Sequence, residues 1–313
     1  MKLLVITQKV DRHDSILGFF HRWIEEFAKH FELVTVICLE KGEYNLPPNV
    51  KVLSLGKEAN VKHSLFNKLG YTLRFYRYIW REKDNYDSVF VHMNQEYVIL
   101  GWKIWKILGK KIYLWRNHAK GSLVTKFAVL VSNKVFYTSP QSYTARFKKA
   151  VQMPVGIDTD FFKPDPFVER IPNSILFLGR IAPVKRVSEF VDWLKNQNFS
   201  ITTIAGSALP EDKDYEELVQ SRALDISDKV RFMDSVTQEE ALKLYQSHET
   251  YVNFTPAGSM DKTILEAAAC ETAVIVKNQA LKILEGKNGK ELRDFVIENH
   301  SLTSLAGKLV SEI

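Results

Sequence analysis

The chain reads as an α/β protein built from two doubly wound parallel-sheet domains in tandem. Three observations predict this. Short β-branched apolar runs recur with helix-sized amphipathic stretches between them, as parallel strands covered by helices on both faces require. The pattern runs once to about residue 155 and begins afresh after residue 170. The 313 residues, 45% hydrophobic and 26% charged, are ordinary globular material and long enough for two cores, neither needing a metal or a disulfide to stand.

Taken in order, residues 2–7 are a buried strand. Helical periodicity follows through Phe19, Phe20, Trp23, Ile24 and Phe27, with charges between them. Residues 33–39 and 50–53 are the next strands. Residues 62–83 read as a helix in which Lys62, Lys68, Arg74, Arg77, Arg81 and Lys83 interleave with Leu65, Phe66, Leu69, Phe75, Ile79, Trp80 and several tyrosines. Those aromatics fit the inner face of a helix packed on a sheet; the interleaved cations also suit a helix lying on an anionic membrane. Residues 87–92, 111–115 and 134–138 complete the first series. The segment from Gly156 to Pro166 is rich in Pro and Asp and lacks periodicity. It sets the expected organisation: a first domain over 1–155, a linker over 156–170 and a second domain over 171–313, whose last helix can pack back on the first. Residues 174–178, 200–204, 229–232, 250–254 and 272–276 supply the second sheet. Open α/β sheets bind ligands at their strand carboxyl ends, so a cleft between two facing domains is the expected site.

The net charge of +6 conceals a split. Residues 1–155 carry 25 Lys and Arg against 12 Asp and Glu, a net +13, whereas the remainder carries 18 against 25, or −7. That excess exceeds what solubility asks of a small domain, about 2–8. It directs attention to anionic partners such as phosphates or lipid headgroups. Cys38 and Cys270 stand far apart with no CxxC or Cys/His cluster beside them, so neither a disulfide scaffold nor a thiolate zinc site is expected. No apolar run approaches the ~20 residues of a spanning helix, and the first apolar run is too short for a signal peptide. The expected location is cytoplasmic, with peripheral attachment at the inner membrane face.

Two segments carry the chemistry. Gly179-Arg-Ile-Ala-Pro-Val-Lys-Arg186 follows the first strand of the second half. Arg180 offers a bidentate fork to phosphate oxygens and Lys185 a point charge, and the helix entered next adds a partial positive end. The second segment, residues 255–270, also joins a strand to a helix. Gly258, Ser259, Met260 and Asp261 offer backbone N–H groups ahead of a helix over 263–269, where Glu266 lies beside the small residues Ala267, Ala268 and Ala269. A carboxylate so placed suits a pair of ribose hydroxyls. Together the groups fit a nucleotide diphosphate held without a metal.

Those residues carry a resemblance. Glu266-Ala-x-Ala-Cys with the following Thr-x-Val-Ile is similar to the corresponding segment of family 4 of the retaining GT-B glycosyltransferases. The stretch from Met153 to Phe161, with its Gly-Ile-Asp turn, resembles that family's interdomain turn, and Leu114-Trp-Arg-Asn-His-Ala-Lys-Gly121 its strand-end histidine segment. The similarity runs over roughly residues 1–310. It implies the GT-B fold, two Rossmann-like domains facing each other across a cleft, and transfer of a sugar from a UDP- or GDP-linked donor with retention.

By that resemblance Arg180, Lys185 and His118 are the catalytic group: the two cations hold the donor diphosphate, and His118 lines the sugar pocket. Glu266 holds the ribose. Arg231 and Met233 sit where backbone touches the base, with Gly206 packed nearby; Gly18 lets a loop approach the diphosphate, and Lys262 and Thr263 continue the phosphate turn. His92 is an acceptor-side candidate. The resemblance departs at one place. The family's Glu-x7-Glu pair begins with a Glu that contacts the donor sugar, and here that position is Gly258; Asp261 is the nearest carboxylate that could take its place.

No metal or other cofactor is expected, because no convincing DxD-like loop is present. The partners expected are a nucleotide sugar, a glycan or lipid-linked acceptor and an anionic membrane surface. No GxGxxG follows a strand, which argues against a dinucleotide oxidoreductase, and no nucleic-acid module is present. Two other readings stay open: a GT-B-fold sugar-nucleotide epimerase, and a catalytically weak sugar-nucleotide-binding subunit.

Overall fold

The computed structural model describes residues 1–59, 65–226, 228–256 and 261–313. It divides into two units, one of Met1–Met153 with Leu305–Ile313 and one of Pro154–Ser304.

In the first unit the β-branched runs become parallel strands β1 (Lys2–Val10), β2 (Leu33–Lys41), β3 (Val50–Ser54), β4 (Ser88–His92), β5 (Lys111–Trp115) and β6 (Lys134–Tyr137). A seventh, β7 (Ala150–Gln152), is three residues long, too short to announce itself by periodicity. Their order is β3-β2-β1-β4-β5-β6-β7, so the chain winds outward from β1 in both directions. Alternate side chains then face opposite layers. On one face α1 (Phe19–His30) lays Trp23 and Phe27 on Trp115 and Phe90, with ring centroids 4.9 and 5.8 Å apart. On the other, Leu4, Ile6, Val89, Val91, Ile112 and Leu114 meet α2 (Leu65–Arg81), α3 (Gln95–Ile107) and α4 (Leu123–Val131). The helix expected over 62–83 stops at Arg81; Lys83–Asn85 tightens into a 3-10 turn, and positions 62–64 lie outside the described residues.

The second unit repeats the plan on a smaller scale. Strands β8 (Ile171–Leu178), β9 (Ile201–Ala205), β10 (Val230–Met233), β11 (His248–Asn253) and β12 (Ala273–Val276) lie in the order β10-β9-β8-β11-β12, all parallel. Phe177, Ile204 and Val252 face α5 (Val187–Leu194) and α6 (Lys213–Leu224). Leu176, Tyr251 and Val274 face α7 (Gln238–Ser247), α8 (Lys262–Ala269) and α9 (Gly289–His300). The segment 156–170, expected as a linker, is bound into this unit. Asp158 Oδ1 accepts from the N–H groups of Asp160 and Phe161, both at 3.1 Å, and Phe162 is buried in the core. Arg293 on α9 donates to the carbonyls of Thr159, Phe162 and Ala269. Arg170 donates to those of Tyr245, His248 and Cys270. These contacts give order to a stretch without hydrophobic period. The final helix, α10 (Leu302–Glu312), carries the chain from the second unit into the first. There Tyr113 Oη donates to the Ile313 carbonyl at 2.6 Å, and Lys134 pairs with Glu312 at 2.7 Å. Among the described residues no helix is long and apolar enough to cross a membrane.

Gly206, directly after β9, adopts φ +141°, and a Cβ there would lie 2.1 Å from the Gly179 carbonyl oxygen. Gly206→Ala is expected to cost about 2 kcal/mol or more in urea unfolding. Gly307→Ala, in α10 with nothing within 4 Å of the added carbon, is expected to match the parent or to gain up to about 1 kcal/mol. Equal midpoints for Gly206→Ala and the parent would remove the close approach.

Candidate functional site

In a doubly wound sheet, the loops leaving adjacent strands at the point of reversed order open on opposite faces and leave a crevice between them. In the second unit that point lies between β8 and β11. The loop after β8 begins at Gly179, whose N–H reaches the Ala205 carbonyl at 2.9 Å, while the Gly206 N–H reaches that of Met233 at 3.0 Å. The strand ends are thereby laced together. Arg180 projects from this edge, exposed and without a hydrogen bond or ion pair among the described residues. Pro183–Lys185 then makes a 3-10 turn, and Arg186 turns left-handed (φ +53°) to start α5.

Lys185 does not stand free. Its Nζ forms a salt bridge with Asp261 Oδ2, at the entrance to α8, so the two loops flanking the reversal are tied by one ion pair. The Asp261 carboxylate also accepts from Asn253 Nδ2 at 3.2 Å, Thr255 Oγ1 at 3.3 Å and Thr263 Oγ1 at 3.0 Å. Burial alone would push its carboxyl upward, but the Lys185 ammonium and these donors hold it below the ordinary range. Behind it, Tyr251 Oη lies 2.6 Å from Thr263 Oγ1 and 3.0 Å from Asn253 Nδ2. Asn253 Oδ1 accepts the Thr255 N–H at 2.9 Å.

Glu266, one turn beyond Lys262 on α8, is buried and accepts from Tyr245 Oη at 3.1 Å. Burial raises its carboxyl and lowers the Lys262 ammonium, each partly offset by the other's opposite charge. Such a carboxyl can accept from, or give a proton to, a hydroxylated ligand near neutral pH.

The structure thus brings together Lys185, Asp261, Lys262, Thr263 and Glu266, with Arg180 and Gly206 on the same sheet edge. Gly258, Ser259 and Met260 lie outside the described residues. Asp261, the carboxylate considered as a stand-in for the absent Glu, is spent on Lys185, Asn253, Thr255 and Thr263. Arg231 and Met233 lie exposed on the edge strand β10. Gly18 opens α1 with an ordinary helical φ of −55°. Its missing side chain makes room for its own loop, since a Cβ would lie 2.5 Å from the Asp14 carbonyl. That loop is pinned by Lys9, paired with Asp11, Asp14 and Glu40 at 3.3, 2.9 and 3.2 Å.

His118 is exposed after β5. Its Nδ1 accepts the Lys120 N–H at 3.0 Å, and Nε2 has no partner among the described residues. His92 is instead buried at the end of β4, stacked on Phe20 with centroids 4.0 Å apart and its Nδ1 3.3 Å from Thr7 Oγ1. It belongs to the core wall rather than to an open acceptor face. Sequence reasoning passed over Tyr245, Tyr251, Asn253 and Thr255. The available signal was Asn253, an amide ending an otherwise apolar strand. It also passed over a cavity of about 340 Å³ in the first unit, where Gln8, Asn94, Glu96, Tyr71, Phe75 and Tyr97 are among the lining residues. Among the described residues no group of three or more His, Cys, Asp or Glu is placed to hold a metal ion.

Residues 172–311 match the family described as Glycosyl transferases group 1. No curated protein matches in sequence. Solved structures match over the whole chain. HepE of Anabaena, solved in complex with UDP and glucose, is 15% identical with a TM-score of 0.68, covering 100% of this chain and 95% of that one. A glycosyltransferase from Rickettsia africae is 15% identical with a TM-score of 0.70, covering 99% and 98%. AviGT4, a glycosyltransferase involved in avilamycin A biosynthesis, is 14% identical with a TM-score of 0.71, covering 100% and 97%. The two-sheet α/β fold is therefore the GT-B fold of these enzymes.

Asp261→Ala leaves Lys185 without its carboxylate and is expected to cost about 3 kcal/mol in urea unfolding. Because the folded Asp261 carboxyl sits below its unfolded value, its contribution is present above the ordinary carboxyl range, about pH 4. It is lost as pH falls through the lowered folded value. The gap between parent and Asp261→Asn should accordingly shrink on acidification. A gap constant from pH 7 to pH 3 would contradict the ion pair.

Proposed function

We propose that the protein transfers a sugar from a nucleotide diphosphate to an acceptor with retention of anomeric configuration. The observation that carries this reading is the sheet edge where Arg180 stands exposed, Lys185 is held in position by Asp261, and buried Glu266 lies one turn into the adjoining helix. The match to group 1 glycosyltransferases covers these residues. HepE, which shares the fold, is described with UDP and with UDP-glucose, which favours a uridine donor here over a guanosine one.

In this reading the incoming diphosphate competes with Asp261 for Lys185, and Arg180 supplies a second cation, exposed at the same sheet edge. Both charges meet the negative charge that grows on the leaving phosphate as its bond to the anomeric carbon breaks. Preorganised cations of that kind act on the transition state more than on the ground state. The acceptor oxygen bonds to the anomeric carbon on the face that the diphosphate leaves, and its proton passes to the departing phosphate oxygen. Glu266 fits a ribose hydroxyl pair. On this reading the reaction needs no metal, because Arg180 and Lys185 supply the positive charge that neutralises the diphosphate. The acceptor is an anionic or lipid-linked glycan met at the inner membrane face, a reading supported by the +13 carried by residues 1–155.

One observation favours a second reading. With Gly258 in place of the usual Glu and Asp261 held by Lys185, Asn253, Thr255 and Thr263, neither position offers the donor sugar a free carboxylate, as expected of a subunit that binds a nucleotide sugar and turns it over weakly. An epimerase would convert the donor without any acceptor.

Calorimetry against UDP- and GDP-sugars, followed by mass spectrometry of the products, separates the three. Transfer requires a glycosylated acceptor, and an epimerase yields an isomeric sugar from donor alone. Arg180→Ala and Lys185→Ala should each lower turnover by about 10²–10³-fold, and EDTA should leave it unchanged. Turnover that survives both substitutions together would place the diphosphate elsewhere.

A further inference from the structure

We infer that the outer helical layer of the first unit, formed by α2, α3 and α4, is a docking surface for an anionic phospholipid bilayer. The inference names the surface for the membrane part of the reading above and rests on that part alone.

The three helices share one face of the sheet. Phe75 on α2 packs on Tyr97 and Trp105 of α3, with centroids 5.3 and 6.0 Å apart, and Trp102 of α3 packs on Phe127 of α4 at 5.6 Å. Their inward side chains fill the core. Their outward ones are not what a solvated layer carries. Leu69, Leu73 and Trp80 on α2, Ile107 on α3, and Leu123 and Leu130 on α4 are each more than half exposed. On a helix Leu69, Leu73 and Trp80 fall on one stripe, opposite the buried Phe75 and Ile79.

Charge identifies the occupant. Within the three helices lie Arg74, Arg77, Arg81, Lys103, Lys106 and Lys126, while Lys68 and the single acid, Glu96, line the cavity. From Glu96 to the next acid, Asp158, the chain has eleven Lys and Arg and no Asp or Glu between them. Lys103 and Lys106 each lie 5.7 Å from the Trp102 ring, and Arg81 lies 5.2 Å from that of Tyr78. Long cations beside tryptophan and tyrosine, above exposed leucines, match a headgroup layer: ammonium and guanidinium groups meet lipid phosphates while apolar tips enter the acyl boundary. A protein partner would need acids over the entire face.

α2 also links this surface to the cavity. Tyr71, Thr72 and Phe75 line it from the inner side of the helix, while Leu69, Leu73 and Trp80 face outward. An amphiphile leaving the bilayer thus meets the cavity across the width of one helix.

The test is flotation of the full chain with phosphatidylcholine vesicles, with and without phosphatidylglycerol, at low and high salt and in the absence of any nucleotide sugar. The parent should float with the anionic vesicles only, more weakly at high salt. Arg77→Glu with Lys103→Glu and Lys126→Glu should reduce bound protein about tenfold or more. Leu69→Ser with Leu73→Ser and Leu130→Ser should abolish the fraction that resists salt. All six positions are exposed, and circular dichroism checks that both variants keep the parent fold. Absence of flotation at every salt concentration, or variants that float like the parent, overturns the inference. So does sedimentation of the parent as a dimer that the serine variant returns to monomer, since the face would then be covered by a second copy. Donor binding, followed separately by calorimetry, reports on the transferase reading, so either can fail while the other stands.

Discussion

Within each sheet every described strand is parallel to its neighbours, and that constraint shapes the rest of each unit. Parallel strands need a crossover at each step, so all carboxyl ends collect along one edge and all returning helices cover the faces. At this edge segments far apart in sequence become neighbours. In the second unit it sets residue 185 beside residue 261, and a lysine in one loop meets an aspartate in the other. The first unit's loop 11–18 obeys the same geometry but closes on itself around Lys9.

The Lys185–Asp261 pair gives the edge an unusual electrostatic state. A bare lysine there would attract any phosphate but would sample many positions. Bound to a carboxylate that Asn253, Thr255 and Thr263 hold in turn, it is aimed in advance and electrically quiet. Arg180 keeps its charge exposed in the same loop. The edge therefore combines one cation open to solvent with another that must be drawn from its partner. Glu266, farther along α8 and buried against Tyr245, adds a carboxyl whose pKa burial raises.

Much of this was readable from residue types alone. Continuous apolar, β-branched runs mark β1, β2, β5 and the inner strands of the second sheet, because burial on both faces leaves no polar face to alternate with. The GRxxxxK loop and Glu266 stood out in the sequence as charged groups between a strand and a helix, and the structure sets the loop at the end of β8 and Glu266 one turn into α8. Other features were hidden for physical reasons. β7 is too short to show a period, and residues 156–170 look unstructured because their order comes from Asp158, Arg170 and Arg293 rather than from an apolar face. The role of Asp261 depends on distances across 76 positions. His92 looked like a strand-end candidate, yet Phe20 stacks on it, a contact with no local trace. Gly18 suggested space for a ligand, whereas its own loop fills that space.

Arg170 shows how far one side chain can reach. Its planar fork serves the carbonyls of Tyr245 and His248 near the end of α7 and that of Cys270 at the end of α8, with Thr272 Oγ1 as a further acceptor. Two helices and the start of a strand thus share a single clasp. Lysine, with one compact ammonium, has no equivalent spread of donors. Libraries meant to retune this half of the protein should keep arginine there and vary its neighbours instead.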